Sequence, residues 1–182
     1  MAFKFTKLSI PEVVLIESEK YEDSRGFFAE LYQENKFKEF GIDKPVKQIN
    51  LSKSSKGVLR GLHYQLNPFA QGKIVRVVAG SIFDVAVDLR KGSRFFGKWA
   101  GVNLKSENLS MLYIPEGFAH GFEVLSDTAE FEYLCTQTYS PQHERGIRYD
   151  DPSLNISWSS KTPVISEKDL KHPFLKDAEI NF

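Results

Sequence analysis

Gly61-Leu62-His63-Tyr64-Gln65 and, further along, Pro115-Glu116-Gly117-Phe118-Ala119-His120-Gly121-Phe122 are the two stretches whose reading decides the fold. The first closes a longer run, Val58-Leu59-Arg60-Gly61-Leu62-His63-Tyr64-Gln65, that reads as a β-strand interrupted by one glycine. Strict alternation puts His63 on one face with Gly61 and Gln65, and Arg60 on the other. A bulge or local twist at Gly61 is what would let Arg60 and His63 reach one pocket. The second stretch is turn-rich and carries a single histidine, His120, after Gly117.

Outward from these stretches, strand signals dominate. Ile74 to Val77 is followed, after Gly80, by Ile82 to Leu89, and the short interruption reads as a hairpin. In the second run Phe83, Val85, Val87 and Leu89 share one face, with Asp84 and Asp88 on the other. Leu109, Met111 and Tyr113 alternate after the turn-like Lys105 to Asn108, and Phe122 to Leu125 and Ala129 to Tyr139 flank a turn at Ser126-Asp127. Helical signals are short. Gln33 to Phe40 stops at Gly41, Ser166-Glu167-Lys168-Asp169 has the form of an N-terminal cap, and Ser140 to Arg145 reads as a helix start. Many short strands with little helix predict an all-β sandwich or jelly roll with a few short peripheral helices. Its open edges need cover, which a strand-sharing dimer would supply.

The 182 residues suffice for one domain, read as residues 1–182, with a substantial core. Lys plus Arg (24) balances Asp plus Glu (24), so no global field favours nucleic acid. The single Cys135 allows no internal disulfide and fits a reducing compartment. No signal peptide and no membrane-length apolar run is seen, which leads to the expectation of a cytoplasmic protein.

Several residue types have the chemistry of a site, each with an ordinary structural explanation beside it. His63 is either a structural strand histidine or a base that works near neutral pH when a carboxylate fixes its tautomer. Tyr133, in phase with Phe131 and Cys135, is either a core tyrosine or a buried phenol that donates a proton. Arg25, Arg60, Lys73 and Lys168 are solvated charges or, with Gln48 and Asn50, the lining of a mouth for an anionic, polyhydroxylated ligand. Asp169 caps a helix or serves chemistry, Glu144 sits at a presumed helix start, and His120 is a hydrogen-bonding histidine or a ligand contact. Dinucleotide and phosphate-binding loops, paired zinc cysteines and the hydrolase nucleophile elbow are all missing. From the residues alone, the reading stops at a β-barrel with a histidine, a tyrosine and an anion-compatible mouth.

The two opening stretches resemble the signature segments of cupin β-barrels, in which His-x-His and a later Glu are followed by Pro-x-Gly…His. Gln65 occupies the second histidine position, which breaks the usual metal-ligand set, so no metal and no cofactor is expected. More specifically, the chain resembles the dTDP-4-dehydrorhamnose 3,5-epimerase family, of cupin-like double-stranded β-helix (jelly roll) fold. The resemblance rests on Asp23-Ser24-Arg25-Gly26-Phe27-Phe28, Val58 to Gln65, Gln71-Gly72-Lys73-Ile74-Val75-Arg76, Phe83 to Arg90, Ile114 to Phe122 and Glu144 to Pro152.

That resemblance implies His63 as general base, Asp169 as the carboxylate that orients it, Tyr133 as proton donor from the opposite face and Lys73 as the cation near the ketone oxygen. It implies substrate contacts from Arg25, Glu30, Gln48, Ile49, Asn50, Arg60, Lys73, His120, Glu144 and Lys168, some of them from a second subunit of a homodimer. The substrate implied is a dTDP-4-dehydro-6-deoxy-hexose. Two positions depart from the family's pattern. Thr138 precedes Tyr139 where paired aromatics are frequent, and Ile49 stands where an acid is common. These departures keep a C3-only epimerase open beside the C3/C5 reading. A 3,4-ketoisomerase, a metal-dependent cupin and a non-catalytic sugar-nucleotide module stand further off.

Overall fold

The computed structural model describes residues 2–182. Thirteen strands run β1 (Phe3–Lys7), β2 (Val14–Ser18), β3 (Lys20–Asp23), β4 (Gly26–Ala29), β5 (Gln48–Ser55), β6 (Leu59–Gln65), β7 (Lys73–Ala79), β8 (Ser81–Asp88), β9 (Trp99–Lys105), β10 (Met111–Ile114), β11 (Phe118–Val124), β12 (Thr128–Cys135) and β13 (Glu144–Gly146). Two short α-helices, α1 (Glu34–Glu39) and α2 (Glu167–Leu170), complete the described elements together with two single 3-10 turns. A six-stranded sheet ordered β1-β2-β10-β7-β12-β5 faces a five-stranded sheet ordered β13-β6-β11-β8-β9, and β3–β4 forms a separate hairpin. All these pairings are antiparallel. This is a jelly roll, as the strand pattern predicts, and of the cupin-like kind that the resemblance implies.

The inner faces interdigitate. Val75, Val77, Leu112, Ile114 and Phe131 of the six-stranded sheet pack on Ile82, Ala86, Leu104, Phe118, Phe122 and Val124 of the other. Burying side chains of this size is worth about 1.5–3 kcal/mol each. Both outer faces are covered in part as well. Leu62, Val85, Val87 and Leu89 lie beneath the C-terminal segment that supplies Leu154 and Ile180. Phe37, the buried residue of α1, plugs the other outer face over Val14, Ile16 and Ile74. That helix begins where the Gln33 side chain accepts the Lys36 N–H, and it gives way to Gly41 at φ +90°.

The turn at Gly80 corrects the hairpin expected there. β7 pairs with β10 and β12, while β8 pairs with β9 and β11, so the chain crosses from one sheet to the other. Gly80 has φ +84°, and a Cβ there would lie 2.2 Å from the Thr128 carbonyl oxygen. The Ser126-Asp127 turn makes the return crossing, from β11 to β12, which ends at Cys135 rather than Tyr139. Leu109 falls outside β10 as a left-handed residue that ends a 3-10 turn. The presumed helix start at Ser140 to Arg145 is instead a turn leading into β13, because the edge of β6 offers free pairing groups to Glu144, Arg145 and Gly146.

Gly61 provides the expected bulge. His120 pairs with His63 but Phe122 with Arg60, so two residues of β6 oppose Gly121 alone. A Cβ on Gly61 would sit 2.6 Å from the Gly121 Cα, so only glycine permits this approach. The bulge shifts the side-chain phase, and Arg60 and His63 consequently line one cavity.

Candidate active site

A cavity of about 380 Å³ opens between the sheets, lined by Gln48, Asn50, Arg60, His63, Lys73 and Tyr133, with His120, Gln71, Tyr139 and Glu144 completing the polar wall. Phe122 and Phe131 form its apolar floor, their ring centroids 4.4 Å apart across the two sheets. His63 belongs to the five-stranded wall and Tyr133 to the six-stranded wall.

The chain fixes His63 through a distant segment. Val164 bridges to Val58, and the Leu59 N–H donates to the Val164 carbonyl at 2.9 Å, which lays the segment before α2 beside the start of β6. Ser166 then caps α2 by accepting the Asp169 N–H at 3.1 Å. This brings the buried Asp169 carboxylate 2.9 Å from His63 Nε2 and 3.3 Å from the Gly61 N–H that donates to it. Burial raises the Asp169 pKa, but the His63 hydrogen bond, the His63 charge and the Gly61 N–H outweigh it and hold the carboxyl below the usual aspartate range. An ionised Asp169 only accepts, so Nε2 carries the proton and the lone pair of neutral His63 lies on Nδ1.

On the opposite wall, burial raises the Tyr133 pKa, with Cys135 adding to the rise and Arg60 opposing it. The phenol therefore keeps its proton at neutral pH. Lys73 is 7% exposed and lies opposite Cys135 in the β7–β12 ladder. Among the described residues it makes no ion pair, and burial pushes its pKa down. An anion entering the cavity would supply the counter-charge this ammonium lacks.

Glu144 accepts from Lys168 Nζ at 2.5 Å and from Tyr139 Oη at 2.8 Å. Burial raises its pKa, yet these two hydrogen bonds hold it below the usual glutamate range. Lys168 thus borders the cavity through Glu144 instead of lining it.

Three candidates lie elsewhere in this chain. Ile49 points to the outer face, 62% exposed, because alternation along β5 turns it away from Gln48 and Asn50. Arg25, at the tip of the β3–β4 hairpin, pairs with Asp23 and lines a separate cleft. Glu30 pairs with Lys36 at 2.7 Å.

Other residues at the site carried no clear signal in the sequence. Asp84, fully buried, takes both carboxylate oxygens to His120 Nε2 at 3.1 and 3.0 Å; its one clue was an acid in phase with Ile82 and Ala86. Gln65, in the broken ligand position, pins the loop beyond β12. It donates to the Phe69 and Thr138 carbonyls and accepts the Ser140 N–H at 2.7 Å. His172 packs edge-on against His63, centroids 5.5 Å apart, in the space left by the missing Cβ of Gly146.

The chain is similar to known proteins along nearly its whole length. The curated dTDP-4-dehydrorhamnose 3,5-epimerase of Shigella flexneri is 53% identical over 175 residues, which covers 95% of this chain and 96% of that protein. A crystal structure from Legionella pneumophila, described as a dTDP-6-deoxy-D-glucose-3,5-epimerase in complex with dTDP-4-keto-L-rhamnose, superposes with a TM-score of 0.93 at 47% identity, covering 97% of this chain and 94% of that one. A 3'-monoepimerase from Streptomyces bikiniensis, in complex with dTDP-quinovose, gives a TM-score of 0.87 at 36% identity over 93% of this chain and 86% of that one. The sequence model of one family spans residues 7–177, and with the shared jelly roll and identities near one half it places this chain in the dTDP-4-dehydrorhamnose 3,5-epimerase family.

Proposed function

We propose that this chain is a dTDP-4-dehydrorhamnose 3,5-epimerase that inverts C3 and C5 of dTDP-4-dehydro-6-deoxy-D-glucose, serving dTDP-L-rhamnose biosynthesis. The observation that carries this reading is that a histidine buttressed by a carboxylate and a protonated tyrosine belong to opposite walls of one cavity.

The 4-keto group acidifies the hydrogens on both neighbouring carbons. Nδ1 of His63 takes one of them, and Asp169 stabilises the imidazolium that forms. Charge then develops on the ketone oxygen, where Lys73 supplies the compensating cation in a partly dry site. Tyr133 returns a proton from the other face, which inverts the carbon, and the enzyme is reset by proton exchange with solvent. General acid/base help contributes roughly 10²–10⁴ in rate, so alignment and enolate stabilisation supply the remainder. Arg60, Gln48, Asn50 and Glu144 line the way in and are assigned to nucleotide-sugar contacts, whose binding energy aligns the reacting carbons.

A homodimer completes the reading. Phe27 and Phe28 of the β3–β4 hairpin are 57% and 63% exposed, and Leu51 is 63% exposed on β5, an open sheet edge. A partner subunit docked there would cover them and bring Arg25 and Glu30 to a neighbouring cavity. Solution mass near twice 20.8 kDa is expected by light scattering. With its single cysteine, the chain is assigned to the cytoplasm.

The decisive experiment incubates the ketosugar nucleotide with the protein in heavy water and locates the label. Deuterium at C3 and C5 is expected. Deuterium at C3 alone would replace this reading by the mono-epimerase one.

A further inference from the structure

We propose that His63, Asp169 and His172 form a binding site for a divalent transition-metal ion, with Zn²⁺ as the preferred occupant, and that occupancy arrests proton transfer at His63. One ligand atom from each of the three side chains lies within 4.8 Å of the others, the one such cluster among the described residues. The histidine rings meet edge to face at 87°, and Nδ1 of His172 is buried with no hydrogen-bond partner. A buried ring nitrogen with nothing to bond is uncommon in folded proteins, and a metal ion is one group able to satisfy it.

The donor set selects the ion. Two imidazoles and one carboxylate suit Zn²⁺, whereas Mg²⁺ and Ca²⁺ prefer six or more oxygens. Tetrahedral zinc bonds of about 2.0–2.2 Å place donors roughly 3.3–3.6 Å apart, so small side-chain rotations suffice to close the cluster. Access exists from outside the substrate cavity. His63 and Asp169 border one cleft with Val164, Ser166 and Lys168, and His172 borders another with Lys168, Lys171 and Pro173. Lys168, on the same helix, is neutralised by Glu144.

The consequence follows from proton bookkeeping on one imidazole. Metal at Nε2 of His63 displaces the N–H that faces Asp169, and that proton moves to Nδ1. No proton is lost, but the nitrogen that should receive the substrate's proton already carries one. Because the ion sits behind the ring, on the Asp169 side, it lowers kcat and leaves KM almost unchanged.

The inhibitory part rests on the epimerase reading; the binding part does not. Calorimetric titration of the chelator-treated full chain with ZnCl₂ is run beside the heavy-water exchange assay. One Zn²⁺ per chain is expected, with exchange suppressed at least about tenfold at saturation, restored by EDTA and untouched by MgCl₂. His172→Ala and His172→Gln should each weaken Zn²⁺ binding by about tenfold or more, and Zn²⁺ inhibition of exchange, expressed relative to each variant's own metal-free rate, should weaken in parallel. Equal Zn²⁺ affinity in parent and both variants, or full exchange at saturating occupancy, overturns the proposal. A metal-free parent without exchange would sink the epimerase reading alone, since the calorimetry still decides the site.

Discussion

His63 and Asp169 stand 106 positions apart in the chain, and a 2.9 Å contact from Nε2 to Oδ1 joins them. One partner comes from an interior strand of the five-stranded sheet, the other from a four-residue helix near the C-terminus. The pairing explains why Asp169 is ionised and why Nδ1 of His63 is the nitrogen free to act.

Replacing His63 by Asn removes the proposed base and keeps a polar side chain there. Solvent exchange at both sugar carbons should fall by about 10²–10⁴ or more, with circular dichroism unchanged. Exchange at the parent rate would remove His63 from the mechanism.

Tyr133→Phe deletes the phenolic proton but keeps the ring, whose centroid lies 5.6 Å from that of Phe131. Deuterium should still enter the substrate through His63 while inverted product drops at least about tenfold. Because burial raises its pKa, Tyr133 should not set the alkaline limb of the parent's pH profile below about pH 10. Parent-level inversion in the variant would reassign the donor.

Lys73→Met separates activity from stability. Losing the cation proposed to face the enolate should lower kcat by about 10²–10³-fold. The same change removes a buried ammonium with no ion-pair partner among the described residues, so the melting temperature should hold or rise. A variant that is both less stable and fully active contradicts the assignment.

Asp169 makes stability depend on acid in a definite direction. Its native pKa lies below the unfolded value of about 3.9, so its contribution is complete above about pH 4 and fades as pH falls through the native value. Melting temperatures of the parent should drop more steeply below pH 4 than those of Asp169→Asn. The variant should also lose about 10²-fold in kcat at neutral pH, since its neutral amide no longer stabilises the imidazolium. Parallel acid slopes would show that the pair contributes nothing to folding.

Local chemistry was legible in the sequence; long-range partnership was not. Gly61 announced a bulge, Ser166 a cap and Gly41 a helix stop, because each is decided by a few neighbouring atoms. Alternation in Ile82 to Leu89 sorted the side chains into two faces, but both faces are buried, Asp84 and Asp88 included, and it says nothing about which strand lies alongside; Gly80 proved to join two sheets. Pro141 and Glu144 imitate a helix start, but the open edge of β6 wins that segment as β13. The convergence of His63, Lys73, Tyr133 and Asp169 came from family resemblance, since no spacing rule predicts it. His172 left no such trace, because its place depends on an atom Gly146 does not have.

Phe122 and Phe131 touch across the two sheets directly beneath the cavity. The proposed base hangs from one slab of the sandwich and the proposed acid from the other, and these two rings meet between the slabs at the floor of the cavity. The handedness of the product is thereby entrusted to hydrocarbon. Thinning either ring should first blur which face of the carbon is reprotonated, and only with greater loss loosen the fold.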